Sequence, residues 1–195
     1  MVEATAKSGL RAHLARQSIA VHAADVFRRV GVSDARVEDL LEAASISRGT
    51  FYKYYRNKSE VLLELYDLAL TDLGEAMTRG GLEEASARGA LEVGIERYFE
   101  YHLSDARLLG VLVREALRSE SPLAARRESF RETLLAALKA AAREAGVRFD
   151  RSLGIALLGA IEALSLELVK SEPNRREVNS AIAAVKRLLA AVLAS

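Results

Sequence analysis

Apolar residues recur at helical intervals along almost the whole chain. Ile19, Ala23, Val26, Phe27 and Val30 form one stripe on a predicted first helix, Leu10 to Val30, with Gly31 at the position after its end. Val37, Leu40, Leu41 and Ala44 follow the i, i+3, i+4, i+7 spacing and predict a short second helix, Arg36 to Ala44. Ser45, Ile46 and Ser47 make a turn. In it Ile46 points to a small core and the Ser47 hydroxyl is suited to cap a third helix, Arg48 to Tyr54. Phe51 and Tyr55 face inward. Asn57 as N-cap, with Glu60 completing a capping box, starts a fourth helix at Lys58 that runs to about Arg79 and stops at Gly80-Gly81. Its apolar residues, including Val61, Leu62, Leu65, Leu68, Leu73 and Met77, cover more than one side, so it must bury against two neighbours.

The same period continues behind it. One helix is predicted over Glu83 to His102, with Leu91, Ile95, Tyr98 and His102 on one face and Phe99 beside them. A second region spans Ser104 to Ser119. A third helix starts at Pro122 with Ser121 as N-cap, carries Phe130, Leu134, Leu138 and Ala141, and stops at Gly146. Residues 150–170 are nearly all apolar, and Gly154, Gly159, Ala160 and Ala163 permit close approach. After a turn at Glu172-Pro173-Asn174, Val178, Ile182, Val185, Leu189 and Val192 recur at alternating spacings of 4 and 3, the 3.5-residue repeat of packed bundles. Two such helices predict a homodimer through a four-helix interface, with Gly154, Leu158 and Ile161 on one helix and the five repeat residues on the other. The alternative is that both helices close the chain's own core.

No stretch alternates long enough to predict a strand, so the fold class is all-α. The 195 residues contain no apolar run of the length of about 18 that spans a bilayer. The start has no apolar signal-peptide core, and a cytoplasmic protein with no membrane partner is expected. Zero cysteines exclude thiolate chemistry. His13, His22 and His102 show no metal spacing, no glycine-rich phosphate loop is present, and neither an enzyme nor a cofactor is expected. The net charge of +1 hides an asymmetry: residues 1–58 carry ten Lys/Arg and six Asp/Glu, whereas residues 59–195 carry eighteen and twenty-one. A basic head on an acidic body points one end toward a polyanion.

The chemistry of that head suits DNA. Two short helices joined by a tight turn are the layout of a helix-turn-helix, whose second helix can enter the major groove. Four of the eleven Phe and Tyr residues fall between Phe51 and Tyr55. The candidate DNA-binding residues are Arg36, Ser47, Arg48, Gly49, Thr50, Tyr52, Lys53, Tyr54 and Lys58. Arg48 and Lys53 suit phosphates or guanine edges, Gly49 lets the backbone approach, Thr50 suits a thymine methyl, and Tyr52 and Tyr54 suit phosphate oxygens. Lys58, at a helix start, suits another phosphate. Residues 1 to about 9 are expected to be a mobile arm, from which Lys7 and Arg11 reach the DNA backbone or minor groove.

Residues 19–62 resemble the N-terminal domain of the tetracycline-repressor (TetR) family of bacterial transcription regulators. The resemblance rests on Ile19, Ala23, Phe27, Gly31, Val37, Asp39, Leu40, Ala43, Ala44, Ile46, Ser47, Gly49-Thr50-Phe51-Tyr52, Tyr55, Lys58 and Leu62. Three positions depart from the family pattern. Ala35 stands for a capping Thr, which assigns the cap to Ser33 or Asp34. Ser45 replaces a turn Gly, which predicts either strain or a turn of another type, and Tyr54 replaces a His. The resemblance implies a three-helix head over residues 1–57, a ligand-binding and dimerisation body over 58–195, and the fourth helix as a lever between them. It also implies a body cavity for an unidentified small-molecule effector, with candidates Tyr66, Tyr98, Phe99, His102, Arg114, Phe130 and Glu162. The expected function is a dimeric repressor of a near-palindromic double-stranded DNA operator, released by an inducer. The rival is a helical small-molecule-binding module that acts without DNA.

Overall fold

In the computed structural model, residues 2–79, 86–170 and 173–194 are described, with backbone alone for residues 2–11. Among these residues the chain is all-α: α1 Val2–Asp34, α2 Val37–Ala43, α3 Arg48–Tyr54, α4 Lys58–Arg79, α5 Ala87–Ser104, α6 Ala106–Ala116, α7 Ala124–Glu144, α8 Arg151–Leu168 and α9 Arg175–Val192. The expected glycine stop at Gly80-Gly81, the start of a helix at Glu83, Glu172 and the side chains of Lys7 and Arg11 lie outside the described residues.

Several boundaries follow from local chemistry. Gly31 adopts φ +80°, kinking α1 where the apolar stripe ends. The arm expected over residues 1 to 9 is instead helical backbone from Val2 onward, continuous with α1. The start of α2 is fixed by Asp39, whose carboxylate accepts the Arg36 backbone N–H at 2.8 Å, and not by Ser33 or Asp34. Ala35, at the family's Thr position, is buried, which leaves no room for a solvated cap there. Glu60 reaches one residue further back than a capping box requires: it accepts the backbone N–H of Arg56 at 2.8 Å, while Asn57 caps α4 through Glu60 N–H. The turn before α7 also differs from expectation. Ser121 Oγ accepts the Leu123 N–H at 3.2 Å, and the helix begins only at Ala124. Gly146, at φ +72°, ends α7 as its sequence position implied.

Two apolar cores organise the helices. One packs α1–α4 together with Leu108, Leu109, Leu112 and Ala116 of α6, so the head's core runs into the body. The other joins α5, α7, α8, α9 and the outer end of α4. The second core absorbs most of the residues expected at a dimer interface. Gly154, Leu158, Ile161, Val185, Leu189 and Val192 are buried within this chain, and Val178 and Ile182 are half-buried. Gly154 is there for a tight contact, since a β-carbon would lie 2.9 Å from the Phe149 ring and 3.0 Å from Leu135. A β-carbon on Gly159 would meet nothing within 4 Å. The faces that α8 and α9 turn outward carry Ile155, Gly159, Ala163 and Leu188 instead.

Candidate nucleic-acid interface and body cavity

The turn between α2 and α3 sets the geometry of the head. Ser45 takes a left-handed φ of +52°. Its N–H then donates to Glu42 and the Ile46 N–H to Leu41, a pattern that closes the free carbonyls of α2. A residue with a β-carbon is strained in that conformation, so the Ser-for-Gly departure carries a cost. Ser47 caps α3, its Oγ accepting the Thr50 N–H at 3.0 Å. Phe51 and Tyr55 are fully buried and hold α3 on the core, with their rings 5.8 Å apart.

A second anchor fixes the far end of α3. Arg16 of α1 donates to the Tyr54 carbonyl at 3.1 Å and to the Glu64 carboxylate of α4 at 2.9 Å. Its guanidinium sits 4.7 Å above the Tyr55 ring, and the Tyr55 hydroxyl donates back to the Arg16 carbonyl at 2.7 Å. One side chain therefore ties three helices around the C-terminus of α3. Burial pushes the Tyr55 hydroxyl far above its usual range, so it remains a donor. Nothing in the chain's local pattern marked Arg16 for this role; its partners lie 38 and 48 residues away.

Outward, Arg36, Ser47, Arg48, Gly49, Thr50, Tyr52 and Lys53 are exposed and Tyr54 is half-exposed, so eight of the nine candidates reach solvent. A β-carbon on Gly49 would meet only Ser47 Oγ at 3.8 Å, so the fold itself does not require glycine there. Arg48 pairs with Glu38 across the exposed surface; Glu38's own backbone hydrogen bond and then Arg48 hold that carboxyl below its usual range. Lys58 departs from expectation. Its ammonium donates to the carbonyls of Val32 at 2.8 Å, Ser33 at 3.0 Å and Ala35 at 2.7 Å, so its three protons are engaged by the α1–α2 connection and not presented to a phosphate.

The body encloses a cavity of about 520 Å³ between α4, α5, α6, α7 and α8. Most of its wall is aliphatic, including Leu73, Met77, Leu91, Leu134 and Leu157. Among the expected ligand residues, Tyr66, Tyr98, His102, Phe130 and Glu162 line it. Phe99 is buried but packs in the core away from the lining, and Arg114 is exposed on the outer face of α6. The polar part of the wall includes two arginines absent from the sequence-derived candidates, Arg127 and Arg131, which stand one turn apart on α7. Arg127 Nε donates to Glu162 at 2.8 Å, with a second contact closing a two-pronged pair that holds the Arg127 guanidinium protonated. Burial pushes Tyr66 up to about 12 and lowers His102, whose Nδ1 donates to the Tyr98 carbonyl at 2.9 Å. Both are therefore neutral near pH 7.

Head and cavity are joined by more than α4. Arg28 of α1 holds Asp105, donating from Nε at 3.1 Å with a second short contact. The same carboxylate caps α6 by accepting the Leu108 N–H at 3.2 Å. Arg28 is the chief reason that this carboxyl stays below its usual range. Three residues earlier, His102 lines the cavity.

No helix among the described residues is long and apolar enough to cross a membrane. Residues 19–65 match the domain described as bacterial regulatory proteins of the tetR family. A fatty acid metabolism regulator protein from Bacillus subtilis is 27% identical over 101 residues, 52% of this chain and 52% of that protein, so the match spans about half of that relative's length. A TetR-family transcriptional regulator from Syntrophomonas wolfei superposes with a TM-score of 0.76 at 15% identity, covering 94% of this chain and 96% of that one. FadR of Thermus thermophilus, a TetR-family transcriptional repressor solved in complex with lauroyl-CoA, superposes with a TM-score of 0.66 at 26% identity, covering 90% and 93%. The helix-turn-helix of α2 and α3 thus lies within the segment that matches the tetR family of bacterial regulatory proteins, and the all-α body shares the fold of TetR-family regulators.

Proposed function

We propose that this chain is a homodimeric repressor that occludes a near-palindromic operator and leaves it when a small molecule fills the body cavity. The observation that carries the reading is α3. It is pinned from below by Phe51, Tyr55 and Arg16, yet offers Arg48, Gly49, Thr50, Tyr52 and Lys53 to solvent. A surface helix without a partner needs no such anchoring. Residues 1–57 then form the DNA-reading head and 58–195 the ligand-binding and dimerising body. The dimer uses the outward faces of α8 and α9 around Ile155, Gly159, Ala163 and Leu188, in place of the inward repeat residues. Two-fold symmetry sets the two α3 helices against half-sites one helical turn, about 34–36 Å, or a multiple apart.

The largely aliphatic cavity suits an effector with a long apolar part, in keeping with the lauroyl-CoA bound to FadR of Thermus thermophilus. Release follows if that effector binds more tightly to the conformation in which the two heads no longer match the operator spacing. The test is fluorescence anisotropy against a duplex from upstream of the chain's own gene and a scrambled duplex, over a range of salt. Tight, sequence-dependent binding with a steep salt slope supports the reading. No binding to either duplex at low salt moves the weight to a ligand-binding module that acts without DNA.

A further inference from the structure

We propose that the cavity is built for an amphipathic acid: an unesterified alkyl carboxylate whose anionic head sits on Arg131 and Arg127 and whose tail fills the aliphatic wall. The proposal rests on the cavity being the effector site and specifies the chemistry of that effector.

The charge of the wall points to an anion. The ionisable side chains lining the cavity are Arg127, Arg131, Glu162, His102 and three tyrosines. Burial keeps His102 and the tyrosines neutral near pH 7. Glu162 offsets Arg127, whereas the carboxylate beside Arg131, Glu128 at 3.5 Å, is half-exposed and stands outside the lining, so the lining itself carries one net positive charge. Bound in a poorly hydrated space, that charge favours a ligand bearing one negative charge over a neutral or cationic one of equal shape.

Hydrogen bonding points to the same place. Arg131 Nε is buried and makes no hydrogen bond. Glu128, a half-exposed carboxylate on the same helix, lies 3.5 Å from it without closing one. A buried, protonated donor left unsatisfied carries a standing cost, and a carboxylate oxygen relieves it. Arg127 gives Nε and Nη2 to Glu162, which leaves Nη1 for a second acceptor one helical turn from Arg131. Two guanidinium groups one turn apart on α7 thus both line the cavity with donors left for a compact, planar anion.

The apolar part supplies the tail site. Gly74 lines the cavity with open space beside it on α4, and Leu73, Met77, Leu91, Leu134 and Leu157 supply much of the aliphatic wall. Each methylene moved from water into such a wall tightens binding by about fourfold, the equivalent of ~0.8 kcal/mol.

The experiment is titration calorimetry of the full-length protein without DNA, with dodecanoate, dodecanol, dodecylammonium and lauroyl-CoA below their micelle concentrations. Dodecanoate is expected to bind roughly 10- to 100-fold more tightly than dodecanol, with dodecylammonium weakest. Arg131→Met should remove most of the dodecanoate preference and leave dodecanol unchanged. Arg131→Lys, which keeps the charge and loses Nε, should fall between and serves if the Met variant does not fold. The acid-to-alcohol ratio is the readout, because general damage to the fold weakens both ligands alike. Equal affinity for acid and alcohol, an unchanged ratio in both variants, or binding of lauroyl-CoA without dodecanoate would each overturn the proposal. A duplex competition run in parallel separates the two readings: an acid that binds with the expected ratio but does not weaken DNA binding supports this site and counts against release by effector.

Discussion

Replacing Lys58 with Met distinguishes two physical roles for one side chain. Its ammonium donates to the carbonyls of Val32, Ser33 and Ala35, at 2.8, 3.0 and 2.7 Å. A hydrogen bond to a charged group contributes about 1.5–3 kcal/mol when its partner is shielded. The Ser33 contact is exposed, so water replaces it at little cost, while those to Val32 and Ala35 are part-buried and water replaces them incompletely. The expected loss for K58M is therefore about 2–3 kcal/mol, well below the sum of three full bonds. For a chain of this size that lowers the melting temperature by roughly 5–10 °C. The assay pairs thermal unfolding with the salt dependence of operator binding. A structural Lys58 gives a large melting shift and an unchanged salt slope once the protein is held below its transition. A phosphate-binding Lys58 gives the reverse: an unchanged melting temperature and a slope reduced by about 0.9 per half-site. That second result would refute the reasoning from its three carbonyl partners.

Four further outcomes are expected. Ser45→Gly should raise stability by about 0.5–1 kcal/mol in urea denaturation, because φ +52° costs a residue with a β-carbon about that much or more; a less stable variant would show that the turn is not strained. Gly49→Ala should raise stability slightly, by about 0.5 kcal/mol through helix propensity, yet weaken operator binding, and an unchanged affinity in anisotropy would remove the close backbone approach. Gly159→Arg should give a folded monomer in light scattering, since the side chain enters open space in one chain and a partner in a dimer. Finally, burial holds His102 below its ordinary value, so as pH falls below about 6.5 the unfolded chain takes up that proton before the folded one. Its stability contribution is full above that pH and declines below it. His102→Phe should lose less stability than the parent between pH 7.5 and 5.5; equal losses would show that His102 is not the group responsible.

The head was legible because its signals are local. The bounds of α3, the Ser47 cap, the inward Phe51 and Tyr55 and the awkward Ser45 each follow from residues within a few positions of one another. What escaped depends on contacts distant in sequence. Lys58 at a helix start has the profile of a phosphate ligand until the carbonyls 23 to 26 residues earlier are brought to it. Nothing local marks Arg127 and Arg131 as cavity residues; Arg127 is placed by Glu162, 35 residues on, which folds against it. The 3.5-residue repeat in α9 correctly marked a buried face, but a period says only that something covers the face. Here the cover is the chain's own second core, which includes α5 and α8, and the outward face is marked by Gly159 and small or exposed apolar neighbours that a repeat count ignores.

Asp105 serves two masters. It caps α6 through Leu108 and holds Arg28 of the long first helix. Any ligand that shifts the start of α6 must therefore do work on the head, and thermodynamic reciprocity runs the same coupling backwards. DNA that fixes the head in one orientation restrains α6 by the same free energy, so the occupied operator should itself loosen the effector's grip by the factor with which the effector loosens the DNA. Under the proposed release, protein seated on DNA would bind the effector more weakly than protein free in solution by that same factor, and Asp105 is a shared contact through which the two sites can be coupled.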